Sequence, residues 1–309
     1  MSKKAIGLLA ALSANVIWGF MSIPLRQIKN YDANQILYYR IAVSFFICLF
    51  YILLFRRKSL LNDINAFSGL KRGDLKQTAI LILLSGVFIT LNWFSFIYVI
   101  NNVNIKSAAF AYMVCPLITA LGGYFLLKEN LSVTKFVAIG IAIISIILLS
   151  TGSLKDTLCS VLIAFFYSFF LIIQRKVQGI NKLNMLFVQL VIAMLIIAPI
   201  FFLFPEAFPK EPIFWLNIIL ISTVFTILPL LLSLYALESL PSSTVGILIY
   251  INPIVVFNVA FFYFKETVRP YQIMAYSILV LAVILFNYKI LLKGFGKIKS
   301  NNNNNIPVQ

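Results

Sequence analysis

The sequence predicts an all-α integral membrane protein of ten transmembrane helices, arranged as two inverted five-helix repeats. Three observations carry that expectation. The 309 residues are 61% hydrophobic and only 11% charged, whereas a soluble chain is nearer half apolar and about a quarter charged. Apolar stretches of about 20 residues, the length that crosses the hydrocarbon as a helix, recur along the chain. One long segment also occurs twice.

The spans fall at 5–25, 34–55, 77–100, 106–127, 133–150, 155–174, 184–204, 213–237, 243–264 and 270–292. Backbone groups in lipid need partners within the spanning structure, so helices or a closed barrel are the choices. Uninterrupted apolar runs exclude the alternating pattern of a barrel. The first span follows Lys3 and Lys4, which would suit a signal peptide, but the run continues past any small-residue cleavage site through Trp18 and Pro24. It reads as a retained span. The longest connection, 56–76, carries six basic residues and is expected to be a loop. The tail, 294–309, contains five consecutive Asn and is expected to be disordered and cytoplasmic.

The net charge of +16, with no His, would suggest nucleic acid in a soluble protein. Here the basic residues sit in short loops between spans and act as topology signals, so no nucleic-acid partner is expected. With the N-terminus inside, the inside segments hold 17 Lys and Arg and the outside segments 8. Both termini are therefore placed in the cytoplasm. Cys48, Cys115 and Cys159 lie in apolar spans without CxxC spacing and read as small core residues. No metal site and no cofactor are expected.

The doubled segment runs over 98–129 and 235–266. Tyr98 falls on Tyr235, Pro116 on Pro253, and Lys128-Glu129 on Lys265-Glu266, at an offset of 137. Five spans separate the copies, and an odd number turns the second copy upside down. A looser alignment at an offset of 149 sets Trp18 on Tyr167, Arg26 on Arg175 and Arg40 on Gln189. The repeats are taken as 1–152 and 153–293. Inverted repeats in one chain mark secondary transporters, whose halves rock about a site near the midplane. The expected partners are a small-molecule substrate and the lipid bilayer. Small-residue spacings such as Ala138 and Ala142 suit either packing within the chain or a homodimer.

At Asn92-Trp93, Asn101-Asn102, Ala111-Tyr112, Cys115-Pro116-Leu117, Leu228-Pro229-Leu230 and Tyr250-Ile251-Asn252-Pro253 the chain resembles the EamA-type permeases of the drug/metabolite transporter superfamily, in their RarD-type branch. The likeness extends to about Lys293. It implies a ten-helix carrier of small polar metabolites or drugs in the bacterial inner membrane. The sequence departs from the branch pattern at Ala111 (usually Gly), Cys115 (usually Asn) and Ile249 (usually Gln), and has Lys128 and Lys265 where Gly is usual.

Candidate site residues follow from polarity and position. Pro116 and Pro253 lie inside spans, and each is expected to kink its helix and free one carbonyl, that of Tyr112 and of Ile249. Asn92 and Asn252 either contact substrate or bind helix to helix. Trp18, Trp93, Tyr112 and Tyr250 either line a cavity or belong to an interfacial belt. Arg40 lies inside the second span, where it either holds a substrate carboxylate or snorkels to headgroups. Gln189 is its counterpart in the second repeat. Glu129 and Glu266 are expected to pair across the repeats or to cap the helices that follow them, near Ser132 and Arg269. A membrane-embedded enzyme would need a catalytic cluster that nine scattered acids and no His do not supply. A channel would call for symmetric filter rings.

Overall fold

The computed structural model describes residues 3–128, 131–151, 153–177, 179–203, 206–239 and 248–303. Among them are helices and turns and no strand. Eight helical runs are long and apolar enough to cross a membrane, and two shorter apolar helices follow, at Ile251–Tyr263 and Pro270–Phe286.

The first run is α1 (Lys3–Gly19) with α2 (Ser22–Gln27) stacked on its end. Pro24 falls in the first turn of α2, where its missing N–H costs nothing. The chain then turns at Asp32, whose carboxylate accepts the Asn34 amide at 2.8 Å and starts α3 (Ala33–Tyr51). Helix α3 does not end where the sequence suggested a loop. It passes through a π turn (Ile52–Arg56) into α4 (Arg57–Ser68), and α5 (Arg72–Asn102) begins soon after. Leu60, Leu61, Ile64 and Phe67 recur at helical spacing, which explains why most of this connection is helical. None of the α4 residues is buried.

Asn104 caps α6 (Ile105–Leu127) by accepting the Ser107 amide at 2.8 Å. Next come α7 (Val133–Ser150), α8 (Leu154–Lys176), capped by Ser153, and α9 (Lys182–Leu203). Pro212 opens α10 (Pro212–Ser222), a second π turn (Thr223–Ile227) joins it to α11 (Leu228–Ser239), and a third (Val259–Tyr263) follows α12 (Ile251–Asn258). The last helix, α13 (Pro270–Asn303), continues into the asparagine tail, of which 304–309 lie outside the described residues.

Alternate connections meet at one end of the bundle. Arg26, Glu266 and the start of α6 are hydrogen-bonded together. Asn104 bonds to Asp156, and Gln35 to the Ala207 carbonyl. At the opposite end Asp63 of α4 accepts from Asn181 and Asn184 at the start of α9. Successive spans therefore run in alternating directions. One apolar core joins α3, α5, α9 and α10, and a second joins α6, α7, α8 and α13. The outward faces remain apolar: Leu54, Phe55, Val133 and Leu203 are each more than 70% exposed. That is the composition of a surface whose solvent is hydrocarbon.

Candidate functional site

Arg40 is 4% exposed, so it does not snorkel to headgroups. Its Nε donates to Thr226 Oγ1 at 3.2 Å, and its Nη1 is buried without a partner. The guanidinium carbon lies 5.1 Å from the centre of the Trp93 ring, a cation–π arrangement. Thr226 sits in the second π turn and donates in turn to the Ile221 carbonyl, five residues back, at 2.8 Å. The widened turn thus leaves the hydroxyl oxygen free to accept from Arg40. Single π turns of this kind recur at functional sites.

Trp93 is held by its neighbour in sequence. Asn92 is 1% exposed, and its amide donates to the Ile163 carbonyl of α8 at 3.1 Å, fixing the rotation of α5. Tyr112 of α6 faces both Asn92 and Arg40. Its ring meets Phe96 and Tyr167 edge-on, each with centroids 5.6 Å apart. Four of the residues singled out from sequence, Arg40, Asn92, Trp93 and Tyr112, therefore converge from three helices. Neither Thr226 nor Tyr167 was among them. A hydroxyl inside an apolar run was a weak signal for Thr226, and the alignment of Tyr167 with Trp18 was one for the tyrosine.

The remaining candidates lie elsewhere. Asn252 donates to the Asn15 carbonyl at 3.5 Å and leaves its own oxygen unpaired in a buried place. This contact joins α12 to α1 where Gly19 lets them touch: a Cβ at Gly19 would lie 2.5 Å from Val255 Cβ. Trp18 and Tyr250 are half-buried, one at the end of α1 and the other just ahead of α12. Gln189 of α9 donates to Ser85 of α5 at 2.9 Å. Its partner in the alignment, Arg40, accepts at its carbonyl from Ser222 at 3.1 Å. Ser222 lies 137 residues after Ser85, so the two contacts correspond under the offsets of the repeat.

The two prolines behave differently, which corrects one expectation. Pro253 does not free the Ile249 carbonyl, because that carbonyl accepts the Asn252 amide at 3.1 Å. Pro253 stands in the first turn of α12, where no donor is missed. Pro116 does lie mid-helix, yet α6 runs unbroken through it. Beside it the Cys115 carbonyl accepts from Thr119 Oγ1 at 2.8 Å and Ser168 Oγ at 2.9 Å. These hydroxyls satisfy backbone next to the proline, as they commonly do in membrane helices.

Glu266 caps a helix, though not the one that follows it. Its Oε1 accepts the Ile105 amide at 3.0 Å and lies 3.1 Å from Arg26 Nη2, while Oε2 accepts the Lys106 amide at 3.4 Å. Lys106 Nζ donates to the Thr267 carbonyl. Glu129 is outside the described residues. The two matched lysines share a backbone state: Lys128 and Lys265 have φ of 55° and 54°, in the left-handed region that favours glycine. Glycine, which the resemblance leads one to expect at both positions, would take this backbone without strain.

A cleft of about 730 Å³ lined by Phe257, Phe261, Tyr276 and Leu281 contains none of the Arg40 cluster. Its lining is mostly apolar, with Asn258 and Ser277 as polar exceptions, and it borders α12 and α13. Among the described residues no His, Cys, Asp or Glu cluster could hold a metal.

The EamA-like transporter family model matches residues 5–151 and again residues 155–288. The chain belongs to the EamA-like transporter family. Within it, protein RarD of Salmonella typhimurium is 27% identical over 289 residues, covering 91% of this chain and 94% of that protein. RarD of Escherichia coli is 26% identical, covering 91% and 93%. An uncharacterized transporter of Bacillus subtilis, YojE, is 25% identical, covering 88% and 90%. A solved crystal structure shares the fold with a TM-score of 0.60 at 12% identity, covering 91% of this chain and 97% of its own. This EamA-type permease of the RarD branch is a multi-pass bacterial membrane protein, and its family function is transport.

Proposed function

We propose that the protein is a secondary transporter that moves small polar metabolites or drugs across the inner membrane by alternating access. Ten spans form two inverted five-helix repeats, 1–152 and 153–293, with both termini in the cytoplasm. The observation that carries this reading is reciprocal contact across the halves. Arg40 of the first half reaches Thr226 and Ser222 of the second, and Gln189 of the second reaches Ser85 of the first. The double match of the family model supports the same division. Such a junction, lined by polar and aromatic groups, is where rocking halves expose a site to each side in turn.

The test is flux through the purified protein in proteoliposomes, with a panel of radiolabelled amino acids, carboxylic acids and nucleosides. A carrier gives saturable uptake and counterflow against a preloaded solute. Uptake that rises linearly with concentration and shows no counterflow would instead mark a channel.

A further inference from the structure

Arg40 is a buried cation that no described residue neutralises. Among the described residues its guanidinium donates to a neutral hydroxyl, and Nη1 has no partner. Trp93 and Tyr112, which lie against it, and Asn92, which faces Tyr112, are uncharged. The eight acidic residues among those described lie in connections or near helix ends, none in the middle of a membrane span. Among the described residues the ion pair within 4 Å is Arg26–Glu266, at the end of the bundle. A desolvated charge without a counterion is strongly unfavourable, and a group that removes the charge or balances it is favoured in the same measure.

We propose that this site takes an organic anion, a carboxylate on a planar or aromatic body, and that the protein exchanges one such anion for another. The proposal rests on the transport reading above and names the substrate class for it. The guanidinium edge offers parallel N–H groups that match the two oxygens of a carboxylate. Trp93, Tyr112, Phe96 and Tyr167 supply ring faces and edges for the body of the molecule. A cationic substrate would meet the like charge of Arg40.

Exchange follows from the same charge. Alternating access requires the site to close to both sides on its way across. The conformation described is closed over Arg40, which is 4% exposed. An empty carrier closes over an unpaired cation, whereas a loaded one closes over a neutral pair. The loaded form therefore crosses readily and the empty form slowly. Solute leaves one side fast only when another anion enters to bring the carrier back.

The experiment uses the full chain and matched probes: benzoate, phenylpyruvate and indole-3-acetate, with benzamide and indole-3-acetamide as uncharged controls. The acids are expected to raise the melting temperature and the amides to leave it unchanged. Arg40→Gln should raise the melting temperature of the ligand-free protein and erase the response to acids, while Arg40→Lys keeps a weaker response. Efflux of labelled benzoate from proteoliposomes should be at least tenfold faster with benzoate on the opposite side than without it. Equal shifts from acids and amides, no shift from any acid, or an acid response that survives in Arg40→Gln would overturn the substrate class. Efflux indifferent to the anion opposite would overturn exchange. An acid-specific shift with no flux of any kind would leave the anion site standing and defeat the transport reading instead.

Discussion

Glu266 accepts the Ile105 amide at 3.0 Å, so a carboxylate from the second half of the chain caps a helix of the first. The same oxygen pairs with Arg26. The two interactions differ in weight. Hydrogen bonds from amides to a half-buried carboxylate satisfy donors that the start of α6 cannot satisfy internally, whereas an ion pair near the bundle end is partly screened. Glu266→Ala is therefore expected to destabilise by on the order of 2 kcal/mol, and Arg26→Ala by less than about 1 kcal/mol. Thermal unfolding of the two variants in detergent measures the difference, and an equal or larger loss for Arg26→Ala would refute the ranking.

The left-handed lysines give a second expectation. A side chain at positive φ costs energy that glycine avoids. Lys128→Gly and Lys265→Gly should each stabilise by about 1 kcal/mol. The two sites end different helices, so their gains should add. Val in place of either lysine should be worse than the native residue. Denaturant unfolding of the single and double variants checks all three statements.

At Gly19 the crossing of α1 and α12 is too close for any side chain. Gly19→Ala would bring a Cβ to 2.5 Å from Val255 Cβ. The expected loss is about 1–3 kcal/mol from overpacking. Combining it with Val255→Gly, which removes both the Cβ and the Cγ1 in the way, should restore much of that loss, so that the double variant is more stable than the sum of the singles predicts. Simple additivity would show that the two residues are not in contact.

Thr226 holds Arg40 through one oxygen. Thr226→Val removes the acceptor and leaves a second nitrogen of the guanidinium without a partner, at an expected cost of about 1–3 kcal/mol. Thr226→Ser keeps the oxygen and should stay close to the native protein. Melting temperatures of the two variants separate loss of the hydroxyl from loss of the methyl group.

Most of the spans were legible because the signal is local: a run of apolar residues long enough to cross the bilayer identifies itself. Helix α4 was missed for the opposite reason. Its six flanking charges outweighed the helical spacing of Leu60, Leu61, Ile64 and Phe67, and charge density reads as loop. Arg40 was conspicuous in sequence, but its partner Thr226 lies 186 residues away, and nothing local pairs a threonine with an arginine at that separation. The role of Glu266 was half visible. A carboxylate beside a helix end suggested a cap, but which helix it caps depends on how the halves pack. Pro253 was misread because a proline within an apolar run looks the same whether it bends a helix or begins one.

The helical run from Ala33 to Ser68 is 36 residues long, or about 54 Å at 1.5 Å per residue, against a hydrocarbon thickness of about 30 Å. Its far portion, α4, has no buried residue of its own. Asp63 nonetheless tethers it to α9 through the Asn181 amide at 3.0 Å and the Asn184 side chain at 2.6 Å. The helix that carries Arg40 is thereby tied at its far end, through α4 and Asp63, to the first turn of α9, while its middle is tied to the second π turn by Thr226.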